Sequence, residues 1–233
     1  MAKQSYFITG TDTDSGKTVI TTGLLRLAAR NGLRTLAMKP LASGCEHTAE
    51  GLRNADALAL SDAMTETMPY ESVNPVALEP AIAPHVAAEE AGRRVTVERL
   101  AGFCRGAMTR PSDLFLVEGA GGWRVPLNGH ETWRDLVEAL QLPVILVVGL
   151  RLGAINHALL SAELIQRDGF RLAGWIANSC TPEPMAREDD TFNTLCEWMP
   201  APCMGRVPWL TATEPAAMAE EASRYLSLPL PGA

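Results

Sequence analysis

Lysine is nearly missing from this chain of 233 residues: Lys3, Lys17 and Lys39 are the only ones among 20 basic side chains. Arginine stands wherever either residue would serve, so Lys17 and Lys39 mark places where a compact ammonium differs from a planar guanidinium, as at a tight phosphate site. An excess of positive charge is also lacking. The net charge is −7, from 27 acidic and 20 basic residues. That argues against nucleic acid or an anionic membrane as a main partner. Long apolar runs are absent too. The longest, Leu142 to Leu150, has 9 residues and contains Pro143, whereas a membrane span needs roughly 18. No C-x-x-C pair occurs among Cys45, Cys104, Cys180, Cys196 and Cys203, so neither a disulfide framework nor a structural zinc site is expected. Met1–Gln4 leads straight into a strand-like run with no secretory leader visible. The expectation is a cytoplasmic protein with reduced thiols.

What is present is an alternation of strand-like and helix-like segments. Strands are predicted at Ser5–Thr9, Arg34–Met38, Asp113–Val117, Val144–Val148 and Leu172–Ala177. Helices are predicted at Lys17–Asn31, Ala55–Met64, Val95–Met108, Trp133–Leu140, Ile155–Gln166, Arg187–Trp198 and Pro215–Leu226. Residues 41 to 92 are the least regular part. The apolar run Val144–Val148 fits a strand covered on both faces of a parallel sheet. No linker or repeat interrupts the pattern. It predicts one α/β domain over 1–233, a doubly wound and mostly parallel sheet flanked by helices, with ligands at the carboxyl ends of the strands.

Gly10-Thr11-Asp12-Thr13-Asp14-Ser15-Gly16-Lys17-Thr18 joins the first strand to the first helix. Backbone N–H groups of such a loop cradle phosphates, its lysine reaches the β- and γ-phosphates, and its hydroxyl ligates Mg²⁺. The general pattern has four residues between the glycines; here five separate Gly10 from Gly16. Glu118, after Leu114–Val117 and before Gly119-Ala120-Gly121-Gly122, is a candidate to hold metal or orient its water, or else a solvated turn acid. Lys39 closes the second strand before Pro40, placed either to neutralise phosphoryl charge or simply at an exposed strand end. Spacing alone reads Asp56 as an acid at a helix start. The segment Gly149–His157 offers a helix N-terminus suited to an anion, while His157 inside it reads as structural. The Asn178 amide suits a purine edge or caps a turn. The five tryptophans are too scattered for a base-stacking platform, and most should be core.

Together these segments resemble dethiobiotin synthetase. The resemblance runs through Gly10-Thr11-Asp12-Thr13 with Gly16-Lys17-Thr18, Lys39-Pro40 with Ala42-Ser43-Gly44, and Gly51-Leu52-Arg53-Asn54 with Asp56-Ala57. It continues through Val117 to Trp123, Pro143 to Gly149, Leu152-Gly153, Ile155-Asn156-His157-Ala158, Gly174-Trp175, Ala177-Asn178 and Pro208-Trp209. These stretches are collinear over residues 5 to 210, and the five-residue gap in the phosphate loop is normal for that family.

The resemblance implies ATP- and Mg²⁺-dependent ring closure of 7,8-diaminopelargonate (7,8-diaminononanoate) with CO₂ to dethiobiotin, ADP and phosphate, through a carbamate and a carbamic–phosphoric anhydride. It implies Lys17 and Lys39 as catalytic groups and Thr18, Asp56 and Glu118 as Mg²⁺ ligands. The nucleotide is expected on Asp14, Ser15, Gly16, Lys17, Thr18 and Val19, and on Glu118, Gly119, Ala120 and Gly121. Asn178, Ser179, Pro208, Trp209 and Leu210 are expected around adenine. Thr13 and Ser43 should contact the substrate. Gly153, Ala154, Ile155 and Asn156 of a second subunit should receive its carboxylate, which implies a homodimer. Residues 183 to 206 depart from the family, where Phe192 is a candidate substrate contact, and Glu214 is the nearest candidate for a ribose-binding acid.

Two other readings keep the nucleotide half. A P-loop amide-forming ligase would need a glutamine-hydrolysing domain, for which this chain is too short. A ParA/MinD-like switch ATPase carries an extra lysine early in its phosphate loop, where this chain has Thr11, Asp12 and Thr13.

Overall fold

A computed structural model describes residues 3–229; Met1, Ala2 and 230–233, included in the expected domain, lie outside the described residues. The chain opens with β1 (Gln4–Gly10), α1 (Lys17–Arg30) and β2 (Thr35–Met38). Short pieces follow: β3 (Leu41–Ala42), β4 (Glu46–Thr48), β5 (Gly51–Arg53), α2 (Ala55–Ala63), α3 (Tyr70–Val73), β6 (Val76–Ala77) and α4 (Pro84–Glu90). Then come α5 (Val97–Met108), β7 (Leu114–Gly122), α6 (Trp133–Leu140), β8 (Val144–Leu150), α7 (Ala154–Arg167) and β9 (Leu172–Ser179). The described chain closes with α8 (Glu188–Trp198), β10 (Cys203–Val207), α9 (Pro215–Ala222) and a 3₁₀ turn at Ser223–Tyr225.

Six strands pair in the order β10-β9-β8-β1-β7-β2, and every pairing is parallel. The chain leaves β1 for β2 at one edge, returns to β7 and then crosses to β8 on the other side of β1. Strand order reverses around β1, and a crevice opens beyond its carboxyl end. All seven residues of β8 are buried, because helices cover both faces of a parallel sheet. On α1 the residues Ile20, Leu24, Leu25 and Ala28 turn inward at the three-to-four spacing of one helical face. Gly23 lets the end of the chain press onto α1: a β-carbon there would lie 2.8 Å from Leu226 Cδ1 and 3.0 Å from Ala222 Cβ.

The structure departs from the sequence expectations at four places. β7 runs on through Glu118 to Gly122 instead of stopping at Val117, with Ile8 paired to Glu118, so Glu118 lies in the sheet and not on a turn. β10 was not expected; it is a short edge strand interrupted by Gly205, with too little apolar alternation to register. The last helix stops at Ala222, after which Leu226 bridges to Gly205. Residues 41–92 hold two small paired units: β3 with β6, and the β4–β5 hairpin. Of the tryptophans, Trp123, Trp133 and Trp175 are core, while Trp198 and Trp209 are exposed.

Candidate nucleotide and substrate site

The loop between β1 and α1 takes its shape from two residues in the left-handed region, Asp14 at φ 56° and Gly16 at φ 87°. Its start is tied to β8, where Thr11 N donates to Val147 O at 2.9 Å. Its end is tied to β9, where Asn178 Nδ2 donates to Ser15 O at 3.2 Å. Lys17, at the first position of α1, folds back so that Nζ donates to Asp12 O at 3.0 Å. The curled loop therefore aims backbone N–H groups and an ammonium at one point, as anion binding at a helix N-terminus requires.

Lys39 enters from the end of β2. Its backbone is held by Asn74, whose Nδ2 donates to Lys39 O at 2.7 Å. The side chain is buried, and Nζ donates to Asp56 Oδ2 at 2.7 Å and to Glu118 Oε1 at 2.8 Å. Asp56 reaches this position because Asn54 caps α2, accepting from Ala57 N, while Tyr70 Oη accepts from Asn54 N at 2.7 Å. Thr18 Oγ1 donates to the same Glu118 oxygen at 2.8 Å. The second oxygen, Glu118 Oε2, is buried without a hydrogen-bond partner.

These neighbours set the ionisation of the cluster. Burial works against the Lys39 ammonium, but Glu118 and Asp56 outweigh it and raise the pKa above the ordinary lysine value. Burial alone would raise Asp56; Lys39, Thr18 and Lys17 outweigh it and hold the carboxyl below its usual range. Lys17 is lowered, mainly by burial and further by Lys39, against the pull of Glu118.

A cleft of about 660 Å³ opens above these groups. The structure brings Thr13, Asp14, Gly16, Lys17, Thr18 and Val19 to its wall. Lys39, Ser43, Asp56, Ala120 and Gly121 line it as well. Glu118 lies beneath, fully buried. Ser15 is buried inside the loop, with its hydroxyl unpartnered. Gly119 packs on Phe7, whose Cζ would sit 2.8 Å from an added β-carbon.

A second cleft of about 330 Å³ carries Ser179, Pro208 and Trp209. Asn178 lines neither cleft and lies against the phosphate loop, next in sequence to Ser179. Leu210 is buried with the core. Gly153, Ala154, Ile155 and Asn156 start α7 and line neither cleft. Phe192 packs on Trp175 at 5.9 Å between ring centres, with the Arg206 guanidinium 4.9 Å over its ring. Glu214 is exposed at the start of α9 and lines neither cleft.

Sequence reasoning missed the apolar wall of the main cleft, formed by Ala81, Ile82, Ala83, Pro84 and Val125. The one local signal was Pro84, which opens α4 at a position that suits proline. It also missed Glu188 and Arg206 in the second cleft. Glu188 Oε1 accepts from Ser179 Oγ at 2.8 Å and from Arg206 Nη2 at 3.0 Å.

Among the described residues no group of three His, Cys, Asp or Glu side chains is placed to hold a metal ion. Mg²⁺ does not need one, because it binds through one or two carboxylates together with phosphate oxygens and water. Thr18, Asp56 and Glu118 offer oxygen donors, and the unpartnered Glu118 Oε2 fits such a cation.

A parallel sheet with a phosphate loop after its central strand and a buried lysine–carboxylate cluster at the same edge defines a P-loop nucleotide-binding protein. The family described as AAA domain matches residues 4–217. In the MinC:MinD cell division complex of Aquifex aeolicus, a chain superposes with TM-score 0.56 at 15% identity, covering 98% of each chain; this likeness speaks to the fold alone. The ATP-dependent dethiobiotin synthetase of Marinobacter nauticus is 57% identical over 228 residues, 98% of this chain and 97% of its own. That of Cellvibrio japonicus is 54% identical over the same shares. The chain belongs to the ATP-dependent dethiobiotin synthetase family and is an ATP-using ligase that forms C–N bonds in biotin biosynthesis.

Proposed function

We propose that the protein closes the ureido ring of dethiobiotin from 7,8-diaminopelargonate, CO₂ and ATP. The observation that carries this reading is the pair of buried lysines, Lys17 and Lys39, on the wall of one cleft that also presents the phosphate loop and Ser43. CO₂ adds to one amine to give a carbamate. A carbamate oxygen attacks the γ-phosphorus, and the bond to ADP breaks. The second amine then attacks the carbonyl carbon of the mixed anhydride and expels phosphate. Such a sequence asks for positioning and charge neutralisation more than for a covalent nucleophile. Lys17 and Lys39 meet the negative charge of carbamate and phosphoryl oxygens. Thr13 and Ser43 orient the diamine end.

Thr18, Asp56 and Glu118 would hold Mg²⁺, which supplies neutralisation of phosphate charge. The loop Asp14–Val19 and Gly119–Gly121 would take the triphosphate. Asn178, Ser179, Pro208, Trp209 and Leu210 would surround the base. The start of α7 would receive the substrate carboxylate across a homodimer. Leu152, 92% exposed, and Leu160, 57% exposed, on and beside that helix support a covered surface there. The whole span 1–233 would act as one cytoplasmic domain.

The test is phosphate release from Mg-ATP with and without 7,8-diaminopelargonate plus bicarbonate, with mass spectrometry of the product. Diamine-dependent release yielding a product of dethiobiotin mass is expected. Phosphate release that ignores the diamine, or responds instead to DNA or lipid, would overturn the reading.

A further inference from the structure

Lys39 does more in this structure than line the cleft. Its Nζ sits between Asp56 Oδ2 and Glu118 Oε1, at 2.7 and 2.8 Å, and Thr18 Oγ1 donates to that same Glu118 oxygen. These three oxygen-bearing side chains are the ones assigned to Mg²⁺ above, and the present inference rests on that assignment. A buried carboxylate needs a compensating cation, because water no longer solvates it. Glu118 is fully buried, Lys39 is 4% exposed, and Oε2 of Glu118 has no hydrogen-bond partner. Lys17, also buried, lines the same cleft as Lys39, and the two ammoniums disfavour further positive charge there. A divalent ion arriving alone would find Lys39 already seated between Asp56 Oδ2 and Glu118 Oε1, with Glu118 Oε2 left unpartnered, and would meet two ammoniums that repel it.

We propose that Lys39 is the resident cation of the Thr18–Asp56–Glu118 cluster and competes there with the divalent metal, so that metal binds well only together with nucleotide. Phosphates add the negative charge that draws the Lys39 ammonium into the cleft it already lines, and the carboxylates are then free for the metal. The lysine thereby makes metal loading conditional on ATP. The four-carbon stem lets the ammonium move without moving β2.

The test is Mn²⁺ binding to nucleotide-free protein, read by electron paramagnetic resonance of the free ion and by the shift in melting temperature. The wild type should bind Mn²⁺ weakly. Lys39→Met should bind it at least about 10-fold more tightly, and Mn²⁺ should raise its melting temperature more than that of the wild type. The gain should vanish in the double variant Lys39→Met with Glu118→Gln. Lys39→Gln, which keeps a hydrogen-bond donor to the carboxylates, serves where Lys39→Met folds poorly, and the same gain is expected. Mn²⁺ affinity unchanged in both Lys39 variants overturns the proposal, as does a gain that survives loss of Glu118. Failure of the metal assignment itself reads differently. In that case Mn²⁺ affinity in the presence of ADP would be the same in wild type and Glu118→Gln, whatever Lys39 does.

Discussion

Gly16 is the tightest point of the phosphate loop, and its replacement by alanine tests the geometry directly. The residue sits at φ 87°, and a β-carbon there would lie 2.1 Å from Asn178 Nδ2 and 2.9 Å from Asn178 Cγ. Two separate penalties follow. A side chain in the left-handed region costs about 1–2 kcal/mol. The overlap forces the Asn178 amide aside and breaks its 3.2 Å bond to Ser15 O, worth about 1 kcal/mol and more if Ser15 O is left dry. Gly16→Ala should therefore destabilise by about 2–4 kcal/mol, lowering the melting temperature by roughly 4–16 °C for a chain of this size. In an Asn178→Ala background only the backbone penalty remains. The double-mutant cycle should thus show a coupling of about 1–2 kcal/mol. Chemical denaturation of the four proteins measures it, and the KM for ATP should rise in Gly16→Ala because the loop that cradles phosphate is the part displaced. If Gly16→Ala costs the same in both backgrounds, the loop does not rest on Asn178 and the reasoning fails.

Lys17→Arg and Lys39→Arg should each lower kcat by at least about 100-fold although charge is kept, since the guanidinium fork cannot occupy the position of a compact ammonium; near-native turnover in both would remove the argument drawn from lysine scarcity. Trp133→Phe should destabilise by about 1–3 kcal/mol, because the buried indole packs 5.8 Å from the Phe7 ring and its Nε1 donates to Ala120 O at 2.8 Å; an unchanged denaturation midpoint would refute that. Asp113 is held at a pKa of about 2, chiefly by the side chain of Arg34 and also by its backbone N–H. A depressed carboxyl contributes stability above its unfolded pKa, and that contribution is lost as pH falls toward about 2. Asp113→Asn should therefore melt below the wild type at pH 7 and match it near pH 2; a constant gap across that range would sink the pairing.

How far the chain could be read without coordinates depended on where the information sits. The phosphate loop was legible because its chemistry is contiguous: glycine, lysine and threonine occupy fixed positions between one strand and one helix. β8 was legible because burial on both faces leaves an unbroken apolar run, and α6 because its apolar residues repeat at helical spacing. Asp56 was different. By spacing it was an ordinary acid in a first helical turn, and only resemblance to a family singled it out. Its contact with Lys39 joins residues 17 positions apart, and the Lys39–Glu118 contact spans 79. No local pattern encodes such a meeting.

The sequence by itself therefore determined the repeating α/β order, the loop that takes phosphate and the residue types available for chemistry. Those follow from short-range periodicity, turn chemistry and composition. The tertiary structure alone decided that β7 continues through Glu118 and buries it, that β10 forms at the edge, and that Ala81–Pro84 wall the cleft. It also decided that one ammonium bridges two carboxylates drawn from distant segments. Each of these depends on which strands become neighbours, and that is set by packing the whole sheet and its helices at once.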